Sequence, residues 1–207
     1  MLMIKQLGRK IWWYERPWLL AITIGSFLAG LFSGWLGAKT LSTQQLVGIS
    51  QEVTDLLERI QVQQPMNGLF NDALIKQELW LIKIIFFGSS YLGLPLIMAL
   101  VFSRGFGLGY TLAIILTSFP IIQGVLIILT GVLPHNLLGV PLCIVVDFFS
   151  AHRSLNLLDG IKMTVNSNYH PSNLKLLFTI LVFMVVGIGV SAIESFISPL
   201  LISILHF

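Results

Sequence analysis

The chain has 207 residues, of which 56% are hydrophobic and only 10% charged, and its mean hydropathy is +0.89. Soluble domains balance about 45–50% apolar against about 25% charged residues, so this composition excludes a soluble catalytic domain and points to one compact domain in a bilayer. The net charge of +3 and pI near 9.2 do not signal nucleic acid, because the basic residues are dispersed between apolar segments and form no stripe.

In chain order, residues 1–17 form a basic tail with Lys5, Arg9, Lys10 and Arg16. Residues 18–37 then offer 20 positions, enough to cross ~30 Å of hydrocarbon and more than the 7–15 apolar residues of a signal peptide, so they read as a first span. Trp12, Trp13, Tyr14 and Trp18 mark one edge of this span and Trp35 the other, at the depth where amphipathic rings favour the headgroups. Ser26, Gly30, Gly34 and Ala38 recur every four residues and make a thin face on which another helix can pack closely, from this bundle or from a partner protein.

Residues 38–79 form the one sizeable segment outside the membrane. Ser42-Thr43-Gln44-Gln45 is a capping-box pattern that predicts a helix start. Leu46, Ile49, Val53, Leu56 and Ile60 follow at three- and four-residue spacing until Gln64-Pro65. A second amphipathic stretch, Leu69, Phe70, Ala73, Leu74 and Trp80, leads into the next span. The apolar faces of both helices need a cover, which is each other, the outer leaflet or an extracytoplasmic partner docking around Leu56.

Four more spans are expected at 80–102, 106–131, 136–151 and 174–204, with a loop over 152–173. Pro120 interrupts the third of the five and is able to split it into two half-helices. The fold class is thus an all-α integral membrane protein, a bundle of about five transmembrane helices with an extracytoplasmic amphipathic segment. With the N-terminus inside, eight basic residues fall on the inner side (Lys5, Arg9, Lys10, Arg16, Arg104, Arg153, Lys162, Lys175) against Lys39, Arg59, Lys76 and Lys83 outside, which favours N-in and C-out.

Candidate chemistry is sparse. Arg104 with Gly105, Gly107 and Gly109 lacks the strand and lysine of a phosphate loop and reads as a tight turn with close helix packing, Arg104 anchoring the turn. Pro134-His135-Asn136 reads as a loop in which proline ends one helix and Asn136 caps the next, or as a polar contact near the outer interface. Asp147 and Glu194 lie within spans and should face the bundle, either in interior hydrogen bonds or in ion or proton transfer. Ser89 or Ser90 with His135 has no third group to orient it as a hydrolase pair. The four histidines and Cys143 share no ligand spacing, so no metal and no cofactor is expected, and the lone Cys143 forms no internal disulfide.

Taken together, Ser103-Arg104-Gly105-Phe106 with Gly109, Val132-Leu133-Pro134-His135-Asn136 with Pro141, and Ser191-Ala192-Ile193-Glu194 with Ser198-Pro199-Leu200-Leu201 resemble the stage II sporulation protein M family. The resemblance covers nearly the whole chain and includes Gly93-Leu94-Pro95, while His135 matches the Pro-His pattern of wider membrane-protein relatives in non-sporulating organisms. It implies a non-catalytic scaffold of the engulfment machinery in the bacterial cell membrane, at the sporulation septum. The implied partners are the stage II sporulation proteins D and P, which degrade peptidoglycan. A small transporter or channel using the intramembrane carboxylates is the alternative.

Overall fold

The computed structural model describes the backbone of residues 16–61, 66–162, 173–197 and 200, with the side chains of these residues except 56–61, 66–69, 72, 135, 159–162, 173–180 and 194. The tail with Trp12, Trp13 and Tyr14, the Pro65 stop and the Ser198-Pro199 pair lie outside the described residues, as do the side chains of Leu56, His135 and Glu194. The described elements are all helical: α1 (Pro17–Lys39), α2 (Thr43–Gln61), α3 (Met66–Gly88), α4 (Gly93–Ser118), α5 (Ile121–Ile127), a π turn (Ile128–Val132), α6 (Leu133–Lys162), α7 (Asn173–Ala192) and a second π turn (Ile193–Ile197).

Pro17–Lys39, Gly93–Ser118 and Asn136–Leu158 are long and apolar enough to cross a membrane. Large apolar side chains point outward, with Phe32 63% and Phe86 72% exposed, an arrangement that water penalises and lipid does not. The protein is an all-α membrane protein.

The tightest seam joins α1 to α4. On α1 the buried positions are Leu19, Thr23, Phe27, Gly30, Gly34 and Ala38, and on α4 they include Ile97, Val101, Gly105, Gly109 and Ala113, so each helix turns one face inward at three- or four-residue spacing. The helices run parallel, since Phe27 meets Gly105 and Leu31 meets Gly109. A methyl group at Gly30, Gly34, Gly105 or Gly109 would strike the carbonyl oxygen of Phe102, Phe106, Phe27 or Leu31 respectively. Backbone therefore packs on backbone, which brings many weak dispersion contacts together without a side chain between the helices. Ser26 adds a hydroxyl hydrogen bond to the Met98 carbonyl at 3.0 Å. The small-residue stripe of the first span is thus used for internal packing.

The glycines of α4 do not form the turn expected at Arg104-Gly105. The chain reverses instead between Gly88 and Gly93, so the expected span 80–102 consists of the end of α3 and the start of α4. The amides of Ser89, Ser90 and Gly93 donate to the carbonyls of Phe86, Phe87 and Ser90 at 2.9–3.1 Å. The Ser154 hydroxyl donates to the Ser90 carbonyl at 2.8 Å and accepts the Leu94 amide at 3.0 Å, pinning the turn to α6. Short serine hydroxyls next to a glycine suffice to reverse a helix here, a signal that hydropathy does not register. Ser154→Ala should cost about 1–3 kcal/mol through these two lost bonds, seen as a lower melting midpoint in mild detergent against the outward-facing Ser103→Ala.

At the other end α4 stops at Ser118 because Pro120 forces the preceding residue out of the helical region: Phe119 is extended, with φ −118° and ψ 155°. Pro120 precedes α5, and its carbonyl accepts the Gly124 amide at 2.8 Å.

Pro134-His135-Asn136 is not a loop. It is the first turn of α6, continuous with the π turn before it. Proline brings no amide donor, and the widened turn accommodates that loss together with the Asn136 side-chain amide, which donates to the Val132 carbonyl at 2.8 Å. As a consequence α6 reaches well past the expected 136–151 at both ends, with Pro141 inside it.

Around these helices α3 lies parallel to α6, with Leu81 and Ile84 packed on Val146, and antiparallel to α7, with Glu78 beside Gly187 and the ring of Phe70 5.9 Å from that of Phe196. Leu19, Ile97, Val101, Phe148 and Ala151 form the core where α1, α4 and α6 meet.

The capping box forms as written: the Ser42 amide donates to Gln45 Oε1 at 3.0 Å and the Gln45 amide to Ser42 Oγ at 3.4 Å. The described part of the apolar face of α2 packs back on the bundle through Ile49. Ile49 and Leu41 pack on Trp35, Ala38, Tyr110, Ala113 and Ile114 at the ends of α1 and α4.

Candidate functional site

The charged residues of the bundle interior come from three helices. Arg104 sits in the middle of α4, half-buried, one residue before a glycine that seats α4 on α1. Its Nη2 donates to Gln77 Oε1 of α3 at 3.1 Å, and its guanidinium lies 4.6 Å from the centre of the Trp80 ring. Gly139 of α6 lies beside it, since a Cβ there would be in ordinary contact with Nη2 at 3.8 Å. Arg104 is therefore an interior residue and not the anchor of a turn. A guanidinium suits this place because its flat face stacks on an aromatic ring while its edge donates.

Below Gly139, α6 turns Cys143 and Asp147 inward at four-residue spacing, 2% and 1% exposed. Asp147 Oδ1 has no hydrogen-bond partner among the described residues. On α3, both Glu78 carboxylate oxygens are buried and likewise without a partner there, as is Gln77 Nε2. Gly187 of α7 makes space for Glu78, because a Cβ at that position would sit 2.7 Å from Oε1.

Further hydroxyl and ring groups continue this inner side of α6 toward the Ser89-Ser90 turn. Ser150 packs against Gly88, His152 lies 6.2 Å ring to ring from Phe148 and pairs through Nδ1 with the Asn156 side chain at 3.1 Å, and Ser154 holds the turn. In the opposite direction Ser191 and Ser195 of the last helix are buried and donate to the carbonyls of Gly187 and Ser191 at 3.1 and 2.9 Å. Polar side chains thus recur along much of the bundle's length, which lipid would not tolerate on the outer surface.

The residues singled out from the sequence are not gathered at one point. Gly30 and Gly34 belong to the α1–α4 seam. Pro134 and Asn136 are in the first turn of α6, and Asp147 follows Asn136 by 11 residues, roughly 16 Å along the helix axis. The backbone of His135 belongs to that same first turn, and Ser154, which touches Ser90, lies roughly 28 Å further along α6, so the serine turn and His135 do not meet. Glu194 is in the second π turn and Leu56 in the latter half of α2, with side chains outside the description. Gln77, Glu78, Trp80 and the interior place of Arg104 were missed. The available signal was an arginine flanked by small residues inside a long apolar run, which in a bilayer needs acceptors from a neighbouring helix.

Among the described residues no three His, Cys, Asp or Glu side chains converge as a metal site. An apolar cleft of about 460 Å³ opens between α6 and α7, lined by Leu138, Pro141, Val145, Val186, Gly189 and Ile193. It has no polar group in that lining to orient a polar substrate.

No curated protein and no solved structure matches the chain. A family model described as stage II sporulation protein M matches residues 23–199, from within α1 past the second π turn and across the whole polar interior. By that match the chain belongs to the stage II sporulation protein M family.

Proposed function

We propose that this protein is a non-catalytic membrane scaffold of the sporulation engulfment machinery, which assembles peptidoglycan-degrading partners, the stage II sporulation proteins D and P, and localises them at the septum. Membership of the family is the observation that carries the reading. The partners carry out the hydrolysis, and the scaffold raises their effective concentration at the membrane. In this reading the chain is a multi-pass protein of the bacterial cell membrane with the N-terminus inside and α2 on the outer side. The basic residues Arg16, Arg153 and Lys162 at the end opposite α2 agree with that orientation.

The way α2 sits supports a docking surface on it. Its apolar positions Leu46, Ile49 and Val53 are partly covered, while Gln44, Gln51, Glu52, Thr54 and Asp55 are exposed, so a partner meets a polar, acidic face. Glu52→Arg combined with Asp55→Arg is expected to lower recovery of the hydrolases several-fold in a mild-detergent pull-down from starved cells, with protein level and melting midpoint unchanged. Full recovery would place docking on the membrane helices, and a wild-type pull-down without hydrolases would remove the scaffold reading.

A second reading, a small transporter or channel, has the burial of Asp147 in its favour. It predicts ion or solute flux in proteoliposomes that is lost in Glu194→Gln or Asp147→Asn protein.

A further inference from the structure

We infer that the outward side of the α3–α4 pair binds a membrane-spanning helix of another protein, one that carries a carboxylate at mid-membrane depth, on Lys76 with Arg104 behind it. Lys76, Trp80 and Lys83 follow one another at four- and three-residue spacing and so share one side of α3. Both lysines are exposed, and the Trp80 ring between them carries the Arg104 guanidinium 4.6 Å from its centre. Gln77, next to Lys76, accepts the Arg104 hydrogen bond at 3.1 Å, which brings the guanidinium to the level of Lys76. On α4, Gly107 and Thr111 stand three and seven residues after Arg104, toward the same side of that helix, and both are exposed. A Cβ on Gly107 would have nothing within 4 Å, so α4 presents a thin open face at this junction.

Depth and charge decide the occupant. Gly105 meets Phe27, beside the middle of the membrane-crossing Pro17–Lys39, and Arg104 bonds to Gln77, so Lys76 is at mid-depth. About 15 Å of hydrocarbon then separates it from either headgroup layer, farther than a lysine stem extends, so a lipid phosphate does not meet it. A charge at that depth is costly in lipid and calls for an opposite charge at the same level. α4 contains no acidic residue, and α3 contains Asp72 and Glu78. Glu78 is turned to Gly187 of α7, and Asp147 of α6 is enclosed. Asp72, about one turn before Lys76, is a single carboxylate against Lys76, Lys83 and Arg104, so this side keeps a positive surplus. In a second copy of the chain the described membrane carboxylates, Glu78 and Asp147, are turned inward and offer nothing to these cations. The complement is therefore a foreign helix with its own aspartate or glutamate, packed closely over Gly107. The site makes no use of α2 and does not rest on the scaffold reading.

The test uses full-length protein in phosphatidylcholine vesicles and three dye-labelled leucine–alanine peptides of about 22 residues, long enough to span the bilayer, with a central aspartate, leucine or lysine. Energy transfer from peptide to labelled protein reports binding. The aspartate peptide is expected to half-saturate the protein at about fivefold lower density than the leucine one, and the lysine peptide to bind weakest. Lys76→Gln should diminish the preference for aspartate over leucine, and Gly107→Leu should weaken both peptides, with melting midpoints showing that each variant is folded. Equal binding of the three peptides to the wild type overturns the proposal and needs no variant. An aspartate preference unchanged in folded Lys76→Gln protein overturns it too, by assigning the contact to another part of the surface. So does loss of that preference when phosphatidylglycerol is mixed into the vesicles, which would mark a lipid phosphate in the groove. Energy transfer between differently labelled copies of the protein, abolished by Gly107→Leu, would mark a second copy as the occupant and equally overturn it.

Discussion

Gly105→Leu is expected to abolish the folded monomer. A Cβ at this position would occupy the place of the Phe27 carbonyl oxygen and come within 3.0 Å of the Leu31 amide nitrogen. These are backbone atoms in the middle of a helix, so neither can rotate away as a flexible side-chain end would. Relief requires α1 and α4 to separate along the whole seam, which also opens the contacts at Gly30, Gly34, Gly109 and Ala113. Overpacking in a well-packed core costs about 1–3 kcal/mol when side chains yield, and more is expected where backbone must move. Gly107→Leu is the matched control, because Gly107 is on the same helix and a Cβ there would have nothing within 4 Å. Size-exclusion profiles and melting midpoints in mild detergent should show an unaltered Gly107→Leu protein beside an aggregated or absent Gly105→Leu one. Equal behaviour of the two would mean that the seam is not a close backbone contact.

That contrast also marks what was legible in the sequence. Ser26, Gly30, Gly34 and Ala38 announced a thin face by their spacing alone, because small side chains every four residues have one structural use in lipid. The capping box and the period of Leu46, Ile49 and Val53 were readable for the same reason: they are local patterns with local causes. Pro120 was readable because it acts on the residue before it. The turn at Ser89-Ser90 was not, since its serines are ordinary helix-surface residues until Ser154, 64 positions away, satisfies the turn. Arg104 was misplaced in a loop because a charge followed by glycines resembles a membrane boundary. Its acceptor Gln77 and stacking ring Trp80 lie on another helix, and nothing local predicts that pairing. Likewise Pro134 reads as a helix stop, but a five-residue π turn and the Asn136 amide let the helix pass through it.

Arg104→Leu is expected to cost about 1.5–3 kcal/mol, as loss of a hydrogen bond from a charged group does. The substitution removes the hydrogen bond to Gln77 Oε1 and the stack on Trp80. It also deletes a positive charge from an interior that holds the buried carboxylate oxygens of Glu78 and Asp147. Leucine is close in bulk to the arginine stem and apolar, so a packing defect accounts for the smaller share of the loss. The test is a double-mutant cycle with Asp147→Asn, which keeps the shape of the aspartate and removes its charge. If Arg104 acts electrostatically on Asp147, the second substitution should be less harmful in the Arg104→Leu background than in the wild type, with a coupling of at least ~1 kcal/mol in melting experiments in mild detergent. Simple additivity would assign Arg104 to Gln77 and Trp80 alone. Arg104→Lys separates these contributions further, because it keeps the charge but loses the planar edge and face. A lysine variant that behaves like the leucine one would show that hydrogen bonding and stacking dominate, and one close to wild type would show that charge does.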